Sequence, residues 1–400
     1  VNSDANHPMK VAFLTNIVSP YRRPVFQELA KTSGWDLRVL VNAKTEFDRE
    51  WSGACEGVEV VQPKSWSIKR TRVSKGPVAC PQVVEFHIPV GLWGELSRFA
   101  PDVVITHELG PRSWIAAQWA RWHKKPLVVW SYQSRSSSSV GGRMRTYVRN
   151  SILKTAGSVV GMGVQARDVL ENFGVGSDRI IDAPNATDLD MVRTRLQKVR
   201  ADGTVEALKQ RLGNGKRICL VAGRLEPVKH IEGTLDMWSR LPQDVRDQWN
   251  LVFLGNGALK PLLDDCQDPS VIHEPSVPME QMADYYAASD LHLFASLADV
   301  WGLVVNESML AGVPTMCSTL AGCADDMIEH GKNGLLFDPT YHESSCNALR
   351  EALQRDDLAK LGRAALWTGE EFTIERLADG FREGVRQAMA RRKELVPAPR

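Results

Sequence analysis

The chain has 400 residues, 43% of them hydrophobic, and a formal net charge of +1 at pH 7. That length and apolar content suit two domains with a core each. No apolar run approaches a membrane span, and the start VNSDANHPMK lacks a basic-then-apolar leader, so neither a spanning protein nor a secreted one is expected.

The seven cysteines, at 55, 80, 219, 266, 317, 323 and 346, form no Cys-x-x-Cys pair. Their odd number argues against a disulfide framework, and Cys219 and Cys317 sit in apolar stretches that predict core positions. A reducing cytoplasm is the expected compartment. Charge is divided unevenly: residues 1–200 hold 28 Lys and Arg against 18 Asp and Glu, and residues 201–400 hold 21 against 30. A basic half suits an anionic partner, and equally suits attraction to the acidic half across a cleft.

Apolar strand-like runs alternate with helical patterns along the chain. KVAFLT (10–15) precedes a helix around Pro24–Lys31, DLRVLV (36–41) follows, and DVVIT (102–106) precedes a helix around Trp114–Trp122. LVVWS (127–131) leads to a helix over 143–155, and SVVGMG (158–163) to one over 166–173. The second half repeats the grammar with RICLVAG (217–223), LVFLG (251–255), SVIHE (270–274), LHLFASL (291–297), PTMCS (314–318) and GLLF (334–337). Short β-branched runs alternating with helices predict parallel sheets covered on both faces, hence α/β with two Rossmann-like domains joined near Asn185–Arg200. Ligands of such sheets sit beyond the C-terminal ends of the strands. Residues 135–142, RSSSSVGG, read as a mobile loop. The final segment places Ile374, Leu377, Phe381, Val385 and Met389 on one helical face.

Three second-half segments carry chemistry. In VAGRLEPVKHIEGTL, Arg224 and Lys229 lie between a strand and the helix it feeds, where cations oppose the helix dipole unless an anion is bound. Arg grips phosphate bidentately and Lys supplies a point charge. In DVWGLVVNESMLAGVP, Asp299 and Glu307 straddle a Gly302-led turn into a helix whose first amides suit a diphosphate. FLGNGALKPLL offers a Gly-x-Gly turn after a strand, a weak signal by itself.

These segments resemble the family 4 retaining glycosyltransferases, whose signature is Glu, seven residues, Glu, then an Ala-Gly-Pro turn. Glu307 fits and Asp299 departs. Gly223, Arg224, Leu225 and Lys229 match the Gly-Arg-Leu…Lys-Gly pattern, with His230 at the second glycine. The resemblance implies the GT-B fold, with an N-terminal acceptor-side domain (9–190, joined by about 375–400) and a C-terminal nucleotide-sugar domain (200–370). The last helix would cross back to the N-domain. It implies Arg224 and Lys229 on the diphosphate, Glu307 on the ribose and Asp299 on sugar hydroxyls. Asp is one C–C bond, roughly 1.5 Å, shorter than Glu. Donor contacts would also come from Gly255, Pro275, Val277, Gly302, Leu303 and Gly322, with Asp325 or Asp326 at a position usually Glu; helix N-capping is the alternative for those two.

On the acceptor side, Pro20–Arg22 before a Pro-led helix resembles a subgroup of the family, which would turn Tyr21 and Arg22 to the cleft. A rigid turn with exposed arginines is the competing reading. His107 in HELGPRSW reads either as a cleft residue or as a core histidine, and Tyr132 stands where many relatives carry His. Asp188-Leu189-Asp190 falls at the domain junction and is not read as a metal site. Basic residues cluster at 67–76 and, interleaved with apolar ones, at 143–154; the latter suits an anionic membrane surface or a half-buried helix.

The implied activity is retaining transfer of a hexosyl-type sugar from a UDP- or GDP-linked donor to a hydroxyl of a glycan or lipid-linked acceptor, in cell-surface polysaccharide or glycolipid synthesis. No metal, other cofactor or nucleic acid is implied. The alternatives are another GT-B nucleotide-sugar enzyme (a 2-epimerase or sugar-phosphate synthase) and a non-catalytic nucleotide-sugar-binding protein. A dehydrogenase is disfavoured because no Gly-x-Gly-x-x-Gly follows the first strand.

Overall fold

A computed structural model describes residues 8–31, 34–43, 53–73, 81–138 and 142–395. Cys80, the start of the chain through residue 7, residues 74–76 of the first basic cluster and residues 139–141 of the serine-rich loop lie outside the described residues.

The first sheet is built from β1 (Met9–Thr15), β2 (Trp35–Val41), β3 (Glu59–Val61), β6 (Val103–His107), β7 (Leu127–Ser131), β8 (Ser158–Gly161) and β9 (Ile180–Asp182). All pair in parallel, in the order β3-β2-β1-β6-β7-β8-β9. Between β3 and β6 an antiparallel hairpin, β4 (Trp66–Val73) with β5 (Pro81–Ile88), stands apart as its own sheet. The second sheet holds β10 (Arg217–Ala222), β11 (Trp249–Leu254), β12 (Val271–Glu274), β13 (Leu291–Phe294), β14 (Thr315–Ser318) and β15 (Gly334–Phe337), in the parallel order β12-β11-β10-β13-β14-β15.

Side-chain alternation explains why both sheets are covered twice. Val11, Phe13, Ile105, Val128 and Trp130 enter one apolar cluster, while Ala12, Leu14, Val104 and Val129 enter another on the opposite face. Cys219, Val221 and Phe253 are likewise separated from Leu220, Ala222 and Val252. Cys219 and Cys317 are fully buried, as expected. Strands covered on both faces read as near-continuous apolar runs, which made them legible in the sequence.

The helix Ile374–Leu395 returns to the first sheet. Leu377, Phe381 and Val385 are buried there, with Ile374 and Met389 packed at the margin. Phe381 meets Phe13 and Trp130 edge-on at 5.2 and 4.9 Å. Ser158 Oγ donates to the Gly384 carbonyl at 2.7 Å, and Arg382 pairs with Glu28 at 2.9 Å. The helix Leu189–Ala201, at the expected junction, packs its Val192 and Leu196 with the second sheet's Ile218 and Leu220. Asp188 accepts from the Met191 amide at 3.0 Å and so caps that helix, a structural use for the first of the two junction carboxylates.

Candidate active site

In each sheet the strand order reverses once, between β1 and β6 and between β10 and β13. Loops leaving such neighbouring strands part to opposite faces and open a crevice. Tyr21 and Arg22 follow β1, Arg224 and Lys229 follow β10, and Asp299 and Gly302 follow β13. These six expected residues therefore collect at the two switch points, while Gly255, Pro275, Val277, Tyr132 and Gly322 follow other strands.

On the second sheet, Gly223 (φ 143°) and Gly255 (φ 151°) press backbone against backbone. A Cβ on Gly255 would lie 1.9 Å from the Gly223 carbonyl oxygen, so no other residue fits. The Gly-x-Gly turn is thus a packing device that fixes the Arg224 loop, reinforced by Leu225 N–H to Asn256 O at 2.9 Å. Arg224 is exposed and shares with Lys229 and Gly223 the lining of a small hollow at the ends of β10 and β13. Lys229 ends the short turn Pro227–Lys229, and His230 adopts φ 58°. That left-handed conformation favours glycine, which accounts for the family's Lys-Gly; here His230 bears it.

Asp299 is held by two neighbours. Its Oδ2 lies 2.6 Å from Lys229 Nζ, and its Oδ1 accepts from the Trp301 amide at 3.1 Å. Asp299 and Lys229 thus form one ion-paired unit. Phe294 lies against both Lys229 and the Gly302 turn: Lys229 Nζ is 4.9 Å from the ring, and a Cβ on Gly302 would lie 2.8 Å from the ring edge. Gly302 (φ 108°) opens the helix Leu303–Leu310, within a residue of expectation. Gly322 packs equally tightly, its N–H on the Asp299 carbonyl at 3.0 Å and a Cβ there 2.1 Å from Val300 O. Pro275 is exposed beyond β12 while Val277 packs inward, and Asn256 Nδ2 donates to Ser276 Oγ at 2.8 Å, tying that loop to the glycine turn.

Glu307 is 3% exposed. It accepts from the Tyr286 hydroxyl at 3.3 Å, and burial pushes its carboxyl up to about 8. Burial disfavours the charged form, and further hydrogen-bond donors to the carboxylate would be needed to restore it. Tyr286 was not singled out in the sequence; nothing in YYAAS marks it.

The first sheet supplies the facing wall. A cavity of about 300 Å³ is lined by Tyr21, Arg22, Tyr132 and Glu108 on that side and by Val300 and Leu303 on the other. Arg22 donates to Thr15 Oγ1 at 2.7 Å and its guanidinium lies 4.8 Å from the Tyr132 ring centre. His107 corrects one expectation: it is 1% exposed, behind Tyr132 at 4.3 Å, and does not line the cavity. Burial, with Arg22 and Arg112 nearby, depresses its proton affinity well below the usual histidine range, so it is neutral. Its neighbour Glu108 takes the exposed place instead, at φ 70° and accepting from Asn16 Nδ2 at 3.3 Å. Arg112, buried beneath, donates to Asn16 Oδ1 and to the His107 carbonyl. The sequence reading missed Glu108, Asn16 and Arg112; the only signal was their nearness to strand ends.

Two further expectations change. Arg135 to Ser138 are anchored rather than loose: Arg135 pairs with Asp168 and, at 2.6 Å, with Asp325, and Ser136 Oγ donates to the Leu320 carbonyl at 2.6 Å. Asp326 caps a helix, but not its own. It accepts from the Val164 amide at 3.0 Å, at the start of the helix Gly163–Asn172, and burial raises its carboxyl to about 6. Both aspartates therefore join the two halves.

Residues 205–365 match the model of the group 1 glycosyl transferases and residues 18–186 that of the glycosyl transferase 4-like domain. The chain belongs to the family 4 glycosyltransferases. It is 25% identical over 292 residues to the sulfoquinovosyl transferase SQD2 of Arabidopsis thaliana, covering 70% of this chain and 55% of that protein. It is 30% identical over 187 residues to the D-inositol 3-phosphate glycosyltransferase of Xylanimonas cellulosilytica, covering 44% and 43%. The chain spans about half the length of the curated relatives it matches. Among solved structures it is similar to Anabaena HepE in complex with UDP (TM-score 0.71, 18% identity, 94% of this chain and 100% of that one). It is also similar to sucrose-phosphate synthase from Thermosynechococcus elongatus (TM-score 0.68, 17% identity, 96% and 100%). At these identities the likeness is one of fold, and the fold is GT-B.

Proposed function

We propose that this family 4 chain is a retaining glycosyltransferase that moves a hexosyl unit from a UDP- or GDP-sugar to a hydroxyl of a glycan or lipid-linked acceptor, in cell-surface polysaccharide or glycolipid synthesis. The observation that carries the reading is the junction of Lys229, Asp299 and the Gly302 helix start over one ring, Phe294, beside Arg224. Breaking the bond from the sugar C1 to the diphosphate sends an electron pair to phosphate oxygen. On this reading Arg224, Lys229 and the first amides of the helix Leu303–Leu310 take up that growing charge, as preorganised cations and dipoles do. These groups do the neutralising assigned elsewhere to a metal, so the proposal requires none. The acceptor hydroxyl enters from the cavity of Tyr21, Arg22, Glu108 and Tyr132, attacks from the face the diphosphate leaves, and passes its proton to the departing phosphate.

We assign Glu307 to the ribose and the backbone around Pro275–Val277 to the base. Among the described residues no helix is long and apolar enough to cross a membrane. The helix Arg143–Thr155 exposes Met144 (75%) and Tyr147 (64%) among basic residues, which supports peripheral contact with an anionic inner membrane face. The test is incubation with UDP-, GDP- and ADP-sugars while following nucleoside diphosphate release with and without glycan acceptors. Binding without release under every acceptor would remove the transferase reading.

A further inference from the structure

A groove of about 950 Å³ lies at the end of the first sheet remote from the cleft. Its floor is Pro126 and Leu127 at the start of β7 and Ala156 and Gly157 before β8. Three helix C-termini meet there, those of Pro111–Trp122, Arg143–Thr155 and Ile374–Leu395. The lining contains seven cations (Arg121, Lys124, Lys125, Lys154, Arg179, Arg391, Arg392) and no carboxylate.

Helix dipoles account for only part of this. Each C-terminus carries about half a negative charge, so three ends offset between one and two cations. Lys125 pairs with Asp102 at 3.1 Å and Arg391 with Asp178. Arg179 is held in place by donating to the Leu153 and Ala156 carbonyls. Arg121, Lys124, Lys154 and Arg392 have no carboxylate partner among the described residues. Positive charge therefore remains in excess in a concave site of the size that takes small ligands. Burial and Arg391 both disfavour the charged form of Arg179, a tension that a bound anion would relieve.

We propose that this groove is a second anion site, taking a ligand with two or more phosphoryl charges and distinct from the donor cleft. β7 runs from the groove at Leu127 to the cleft wall beside Tyr132, five residues or roughly 15 Å. One diphosphate cannot occupy both places. The inference stands whether or not the cleft transfers a sugar. Guanidinium and ammonium groups in one groove suit clustered phosphates, whether soluble or borne on a lipid headgroup.

The experiment uses the full chain carrying Arg224→Ala and Lys229→Ala, so that cleft binding is removed. Calorimetric titration with inorganic pyrophosphate at low salt is expected to show one site, weakened at least tenfold by Lys124→Glu with Arg392→Glu. That result identifies a soluble ligand. Sedimentation with cardiolipin but not phosphatidylcholine vesicles, lost in the same variant and without pyrophosphate binding, identifies a headgroup. Neither changed residue lies on the helix proposed above to meet the membrane, so the two ideas fail separately. Thermal unfolding checks the fold, and Arg121→Glu, on the helix Pro111–Trp122, repeats the test should the double change unfold the chain. If neither probe binds, or both bind equally after charge reversal, the proposal is overturned.

Discussion

Replacing Glu307 by Gln is expected to stabilise the empty protein at pH 8 while weakening its hold on a nucleotide. The folded-state carboxyl titrates at about 8, against 4.5 for an unperturbed one. Between those values the native chain keeps a proton that the unfolded chain has released. Stability therefore falls as pH rises through this window, because the native state binds more protons than the unfolded one. The span, 8 − 4.5, corresponds to a ceiling of about 5 kcal/mol. Gln keeps the acceptor for Tyr286 and the side-chain volume but cannot ionise. Urea unfolding from pH 5 to 9 should show the wild-type curve declining more steeply than that of the variant, with the two close at pH 5. Ribose hydroxyls donating to the carboxylate would lower its pKa, so nucleotide binding at pH 7 should release close to one proton. Calorimetry in two buffers of different ionisation enthalpy reads that release. Identical pH slopes for the two proteins, or binding without proton release, would refute the reasoning.

Arg224→Ala and Lys229→Ala should each cut turnover at least tenfold by leaving diphosphate charge unneutralised; near-normal rates in both would remove the phosphate assignment. Gly255→Ala should destabilise by roughly 2–4 kcal/mol or prevent folding, since its methyl meets the Gly223 carbonyl head-on; a melting temperature within a degree of wild type would contradict this. Glu108→Gly should relieve a left-handed backbone and gain up to about 1 kcal/mol while raising the acceptor KM; a stabilised variant with unchanged KM would take Glu108 out of the acceptor wall. Arg135→Ala removes an exposed tie to Asp168 and Asp325, so unfolding free energy should change by less than about 1 kcal/mol. A larger loss would show that the halves depend on it.

Not every strand was equally legible. β1, β6, β7, β10 and β11 announced themselves because both their faces are buried. β3, β9 and the β4–β5 hairpin went unread: the first two are three-residue edge strands, and edge or hairpin strands have no need of a continuous apolar run. Arg224, Lys229, Asp299 and Glu307 were legible because each lies in a local strand-turn-helix pattern. Their couplings were not. The Lys229–Asp299 pair joins residues seventy apart, and the Asp326 cap on Val164 joins residues 162 apart.

By itself the sequence determined the two parallel sheets, the amphipathic last helix and the glycine-led turns, because periodicity, β-branching and glycine's backbone freedom are local properties of a few residues. The return of that helix to the first sheet was implied by the family resemblance alone. Tertiary structure alone decided that His107 withdraws behind Tyr132 while Glu108 comes forward, and that Arg135 and Ser136 are tied to the second half. It also decided that seven cations from distant segments gather in one groove. Exposure, proton affinity and charge density are set by neighbours that only the fold brings within a few ångströms, and no short stretch of chain encodes them.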